Sequence, residues 1–290
     1  MTWIEATVNS LAKSPICDYA STGPGASEPT ALAALALVGH DRTAAAQPAA
    51  KFLLSLQAKD GSIGIRPKEP WPQWPTSLAL LVWKLCDPQQ YATAIKAALH
   101  WALLQEGERI PREAAMGHDS TLAAWPWVEG THSWMEPSAF FTLALKAHGL
   151  RENKRTQEAI RLLIDRLLKE GGCNYGNTAV LGQTLRPHVQ PSGIVMLALA
   201  GEADPSGRIS KTLDYLTQAC TKETTPQSLA WALLGLAAHD RTPEQAPELI
   251  AAAYETTAKR SNALFTQTLL VHAALGKNSP LVQLAKATAP

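Results

Sequence analysis

Residues 28–38 read EPTALAALALV, and residues 136–147 read EPSAFFTLALKA. Three more segments repeat the pattern: WPTSLALLVW from Trp74, QPSGIVMLALA from Gln190 and TPQSLAWALLGLAA from Thr225. In each, a Pro (Pro29, Pro75, Pro137, Pro191, Pro226) is followed closely by Ser or Thr and then by small and branched apolar residues. A sixth copy without the Pro begins near Asn262 (NALFTQTLLVHAAL). Pro near the first helical position forfeits no hydrogen bond and presets φ. A Ser or Thr beside it is expected to cap an orphan N–H of its helix. Runs that are apolar nearly all round predict helices buried on every side.

The intervening stretches have another pattern. In 154–170, KRTQEAIRLLIDRLLKE, Ile160, Leu163, Ile164, Leu167 and Leu168 form one apolar stripe on an otherwise charged helix. Stretches 45–57, 91–105, 206–219 and 243–256 are rougher versions. Buried helices alternating with striped ones predict concentric rings. An open solenoid would keep a near-constant repeat length, whereas the gaps here vary widely. The expectation is all-α, a closed (α/α)6 toroid, with residues 1–290 forming a single α/α-toroid domain. Its longest loops precede Pro75 and Pro137, where functional elaborations are expected.

Composition fits a large core: 46% hydrophobic and 18% charged residues in 290, with a formal net charge of +1. No basic footprint for nucleic acid is present. The densest basic stretch, Arg151 to Arg166, is interleaved with acids and reads as a solvated helix face. Cys17, Cys86, Cys173 and Cys220 form no CxxC pair. The N-terminus lacks a secretory pattern, and no apolar run is long enough to span a bilayer. A cytoplasmic location is the expectation, with peripheral membrane contact left open.

Residues 52–64, FLLSLQAKDGSIG, and 167–177, LLKEGGCNYGN, resemble the QW-type helix-end turn of the prenyltransferase and squalene-cyclase repeat superfamily. Trp125 to Gly149 also resembles members of it. The resemblance implies a toroid and an isoprenoid or other apolar small molecule in its centre. It also implies pairing with a second chain, as a homodimer or heterodimer. Ile63 and Cys173 stand where that turn carries an aromatic residue. The DxDD acid, the DDxxD motif and the Asp-x-Cys zinc pair are absent, so no catalytic residue carries over. No cofactor is called for, and neither Mg²⁺ nor Zn²⁺ has sequence support.

The segment 117–137, GHDSTLAAWPWVEGTHSWMEP, is the richest in chemistry. A carboxyl group among Trp rings has its ionised form desolvated, which suits it to protonation chemistry. Asp119 and Glu129 are the candidate acids, with His118 and His132 as orienting partners. Trp125, Trp127, Trp134 and Tyr175 are the candidate substrate walls, although Trp and Tyr in a toroid also serve simply as packing. Glu136 precedes Pro137 as Glu28 precedes Pro29, a recurrence read as a carboxylate meeting the helix dipole. Zinc on His118, Asp119, His132 and Cys173 or His188 lacks any close ligand spacing. Three functions compete: an isoprenoid-handling toroid, a non-catalytic scaffold, and a carbohydrate-active enzyme pairing Asp119 with Glu129 or Glu136.

Overall fold

The computed structural model describes residues 2–112 and 116–287. Its helices run α1 (Trp3–Lys13), α2 (Ser27–Gly39), α3 (Thr43–Ser55), α4 (Thr76–Cys86), α5 (Ala92–Leu104), α6 (Met135–Ala147) and α7 (Lys154–Asp165). After a two-stranded ribbon, β1 (Ala179–Val180) with β2 (Gln183–Thr184), come α8 (Val189–Ala198), α9 (Arg208–Ala219), α10 (Pro226–Ala238), α11 (Ala246–Arg260), α12 (Leu264–Leu275) and α13 (Pro280–Ala287).

The six repeated segments are the even-numbered helices α2 to α12, and each packs on the next until α12 returns to α2. That return closes the ring and excludes a solenoid. All of α6 is buried, whereas α7 buries one stripe that includes Thr156, Ala159, Ile160 and Leu163. Outer helices bridge inner neighbours, as α9 does for α8 and α10. The N-terminal α1 completes the outer wall against α12 and α2. No helix among the described residues is long and apolar enough to cross a membrane.

In four of the five Pro segments the Ser or Thr does not cap its own helix. Its hydroxyl instead binds the chain segment that approaches the helix. Thr30 accepts from the Cys17 N–H (3.1 Å), Thr76 from Ile63 (2.8 Å), Ser138 from Trp125 (3.1 Å) and Ser192 from Cys173 (2.9 Å). The two QW-like turns superimpose in their bonding: Ala58 N–H to Ser62 carbonyl matches Leu168 to Gly172, both 2.8 Å. Gly61 and Gly171 are left-handed (φ +98° and +101°), and a Cβ on either would strike a carbonyl of the next outer helix, at Ala97 or Lys211. Only the first turn keeps its glutamine: Gln57 donates to the Gly61 (3.1 Å) and Ala94 (3.0 Å) carbonyls.

The opposite end of the ring is sealed. In the HDR motifs Asp41 and Asp240 take the left-handed C′ position (φ 58° and 57°), and the Arg42 and Arg241 N–H groups reach back to Leu37 and Leu236. The histidines at the ends of the inner helices α6, α10 and α12 do not act as cations. Burial pushes His148, His239 and His272 below the ordinary histidine range. Each Nε2 bonds a carbonyl of a neighbouring inner helix, Leu80, Met196 or Leu32. Below them α13 packs on α2, α6, α8 and α10 and buries Leu281, Val282, Leu284 and Ala285.

Among these contacts α8 and α10 stand out, because a Cβ on Gly193 would collide with the Trp231 backbone. Gly193→Ala is expected to cost about 2 kcal/mol or more, lowering the calorimetric melting temperature by several degrees. An unchanged melting temperature would contradict this account of the α8–α10 contact.

Candidate functional site

The first turns of the inner helices converge on a cavity of about 520 Å³. In four of them the residue before Pro lines it: Glu28, Trp74, Glu136 and Gln190. One turn deeper, on the same face of each helix, Phe140, Ile194 and Trp231 form the floor beneath Glu136, Gln190 and Gln227. The wall is a run of rings, Trp127 edge-on to Trp74 (5.0 Å), Trp74 to Phe140 (5.7 Å) and Phe140 to Trp231 (5.6 Å). Tyr19 and Phe265 close the other side at 5.1 Å. Between the rings lie amides and hydroxyls, with Gln227 donating to Thr266 (3.1 Å).

Two carboxyl groups share this space. Glu28 reaches solvent only partly and Glu136 is buried. Loss of hydration pushes both up to about 7, and the charge of Glu136 adds to the rise of Glu28. Each has one donor that opposes the rise: the Tyr19 hydroxyl to Glu28 (2.6 Å) and the Gln190 amide to Glu136 (3.1 Å). Enclosure and the Glu28 charge keep the Tyr19 phenol protonated, so it remains a donor. Tyr19 is fixed in turn by its neighbour Asp18, which accepts from Arg66 at 2.7 Å, and by the Arg66 guanidinium 5.6 Å from its ring.

The tryptophan-rich segment is divided by the structure. Trp127 lines the cavity. Trp125 is fully buried, donates to the Ala102 carbonyl (2.8 Å) and lies under the Arg155 guanidinium, so it is a packing residue. Trp134 lies tilted against His132 (4.4 Å) outside the cavity. Asp119 is also outside, and its carboxylate is held below the usual range by the Thr121 hydroxyl and N–H, against the expected rise. His118 is buried against the Met116 carbonyl (2.8 Å) and Thr178 (3.2 Å), and burial pushes it down. Glu129 is exposed and borders only a small crevice beside Trp125. Tyr175 stands on an adjoining groove, its ring 4.8 Å from His188. Among the described residues no three His, Cys, Asp or Glu side chains converge as a metal site, so the zinc set is not assembled.

Two arginines of the basic stretch, Arg155 on α7 and Arg166 at its end, depart from the reading as a solvated face. Arg155 donates to the Gln105 (2.7 Å) and Ala124 (3.1 Å) carbonyls, and buried Arg166 to Ser133 (2.6 Å). These guanidinium groups pin the segment that carries Trp127 to the cavity.

No protein-family model and no curated protein matches the chain. Solved structures do. A protein from Actinoplanes aligns with a TM-score of 0.55 at 11% identity, over 97% of this chain and 99% of that one. A novel alpha-amylase from Clostridium perfringens aligns with a TM-score of 0.55 at 13% identity, over 98% of this chain and 97% of that one. The likeness shows the fold, an α/α toroid, and is not specific to the prenyltransferase and squalene-cyclase superfamily.

The glutamate pair makes stability depend on pH with a definite sign. Folded, Glu28 and Glu136 hold protons to about pH 7; their ordinary value is 4.5. The folded state therefore binds more protons across that window, and this contribution to stability falls as pH rises through it. The double variant Glu28→Gln, Glu136→Gln is expected to melt several degrees above the wild type at pH 8. That advantage should shrink steadily toward pH 4.5. A pH-independent difference in calorimetry would refute the assignment of buried, protonated glutamates.

Proposed function

We propose that the chain is a carbohydrate-active enzyme that cleaves a glycosidic bond in the central cavity, with Glu28 and Glu136 as its carboxyl pair. The observation that carries this reading is two glutamates poised near neutrality inside one cavity of rings, amides and hydroxyls. A sugar presents flat apolar faces and many hydroxyls, which such a lining matches. Glycoside hydrolysis needs one carboxyl group protonated and the other ionised. Two neighbouring carboxyl groups that repel each other's charge meet that need by retaining one proton between them. The protonated member donates to the leaving oxygen while the ionised member faces the anomeric carbon, where a water supplies the replacing hydroxyl and returns a proton to the pair. Gln190 holds Glu136, Tyr19 holds Glu28, and Trp74 with Trp127 offers ring faces to the sugar. The likeness to an alpha-amylase makes α-glucans the first substrates to test.

A second reading, an isoprenoid-handling toroid, draws on the QW-like turns and on ring faces able to stabilise a carbocation. The polar half of the lining counts against it. So does the lack of any Lys or Arg among the described residues that line the cavity, where a diphosphate would need one.

The test is release of reducing sugar from malto- and cello-oligosaccharides, beside a thermal-shift screen with prenyl diphosphates and squalene. Glu28→Gln and Glu136→Gln are each expected to lower kcat/KM by about 10²–10⁴ with folding retained. Thermal shifts from isoprenoids alone, with no sugar turnover, would favour the second reading. Carboxyl NMR gives an independent check. Removing the neighbouring charge in Glu136→Gln should lower the pKa of Glu28, and an unmoved titration would separate the two groups.

A further inference from the structure

We infer that the substrate is an oligosaccharide whose chain end enters the cavity while its remaining units lie in a separate groove across Gln190. This rests on the carbohydrate reading above and specifies where the chain runs. The cavity is blind. Phe140, Ile194 and Trp231 floor it, and α13 fills the ring beyond them. A chain cannot thread through, so only a terminus reaches the glutamates.

The groove supplies the exit. It has a volume of about 500 Å³ and shares Gln190 with the cavity. The sill between the two is Gln190, whose amide donates to Glu136 at 3.1 Å. On the first turn of α10, Gln227 faces the cavity while Ser228 faces the groove. Beyond the sill stand Tyr175, Tyr215 and the hydroxyls of Thr221, Thr224 and Thr225. Tyr175 is 41% exposed, a large ring left bare next to His188. Tyr215 packs on Gly172, where a Cβ would come within 2.9 Å of its ring. The exposed Tyr175 ring, the half-buried Tyr215 ring and these hydroxyls, sharing Gln190 with the cavity, form a platform for further sugar units.

The experiment measures kcat/KM and tryptophan-fluorescence affinity for malto- and cello-oligosaccharides of increasing length, with cyclomaltoheptaose as an endless control. Affinity and kcat/KM are expected to rise beyond the disaccharide, and linear chains should shorten from one end. The cyclic sugar should resist cleavage. Tyr175→Ala should cost about three- to tenfold on the long substrates and leave the disaccharide unaffected, while Tyr175→Phe retains the gain. Disaccharide turnover without a length effect, equal losses on short and long chains, or ready cleavage of the cyclic sugar would each overturn the groove and leave the cavity chemistry standing. No binding or turnover of any sugar would overturn the carbohydrate reading and the groove with it.

Discussion

A side-chain hydroxyl just inside the inner helix, bonded to the N–H of the chain approaching it, is the contact on which the open end of this toroid depends. Thr30, Thr76, Ser138 and Ser192 each make it. The N–H groups they receive belong to Cys17, Ile63, Trp125 and Cys173, otherwise buried donors without a partner in their loops. An unpaired buried donor costs on the order of 1–3 kcal/mol, so each contact fixes a loop to a helix start. The adjacent Pro then sets the entry angle, and the residue before it is left facing the axis. Glu28, Trp74, Glu136 and Gln190 are on the cavity for that reason. Trp127 and Tyr19 arrive on the anchored loops, two residues beyond Trp125 and Cys17 respectively.

The same geometry sets two opposing fields on the carboxyl groups. At a helix N-terminus the dipole favours a negative charge by about 0.3–1 kcal/mol, more when partly buried. The surrounding rings remove water and favour the neutral acid. Both glutamates are shifted upward, so loss of hydration wins over the dipole and over the single donor each retains. A chain selected for stability alone would place Gln at both positions, as it does at Gln190. Two costly carboxyl groups kept in one enclosed space are what makes this cavity the candidate site.

Much of this was legible in the residues. The inner helices announce themselves because burial on all sides leaves no periodicity to blur, and every repeated segment became one of them. Glu28 and Glu136 were visible as a recurrence, yet a dipole partner and a cavity acid have the same sequence signature. The two are told apart only by what surrounds them, which comes from other helices. The segment 117–137 is rich in chemistry, but a loop has no period, so nothing in it says that Trp127 turns inward while the Asp119 carboxylate closes on Thr121. Arg155 and Arg166 misled for a related reason. Spacing assigns a face, and a long guanidinium side chain can reach past its face to a loop carbonyl. The outer helix α1, closed by the Thr2 hydroxyl and the Glu5 carboxylate on each other's backbone N–H groups, falls outside the stretches read as striped. The short α13, with one turn of apolar residues, falls outside them too.

All six inner helices point their N-termini at the cavity, and this bears on which chemistry the site supports. Converging positive dipole ends raise the potential inside, where low dielectric amplifies it. A cationic transition state, whether an oxocarbenium ion or an isoprenoid carbocation, is disfavoured there unless a negative charge is supplied locally. Ring faces offer part of that compensation. An ionised glutamate offers more, and it sits at helix starts where the dipoles help it ionise. A site of this construction needs one carboxyl group charged at the moment of reaction. Loss of hydration keeps the second protonated, and for Glu28 the charge of Glu136 adds to that effect. The pair, rather than either glutamate alone, is what the closed ring of helix N-termini makes chemically useful.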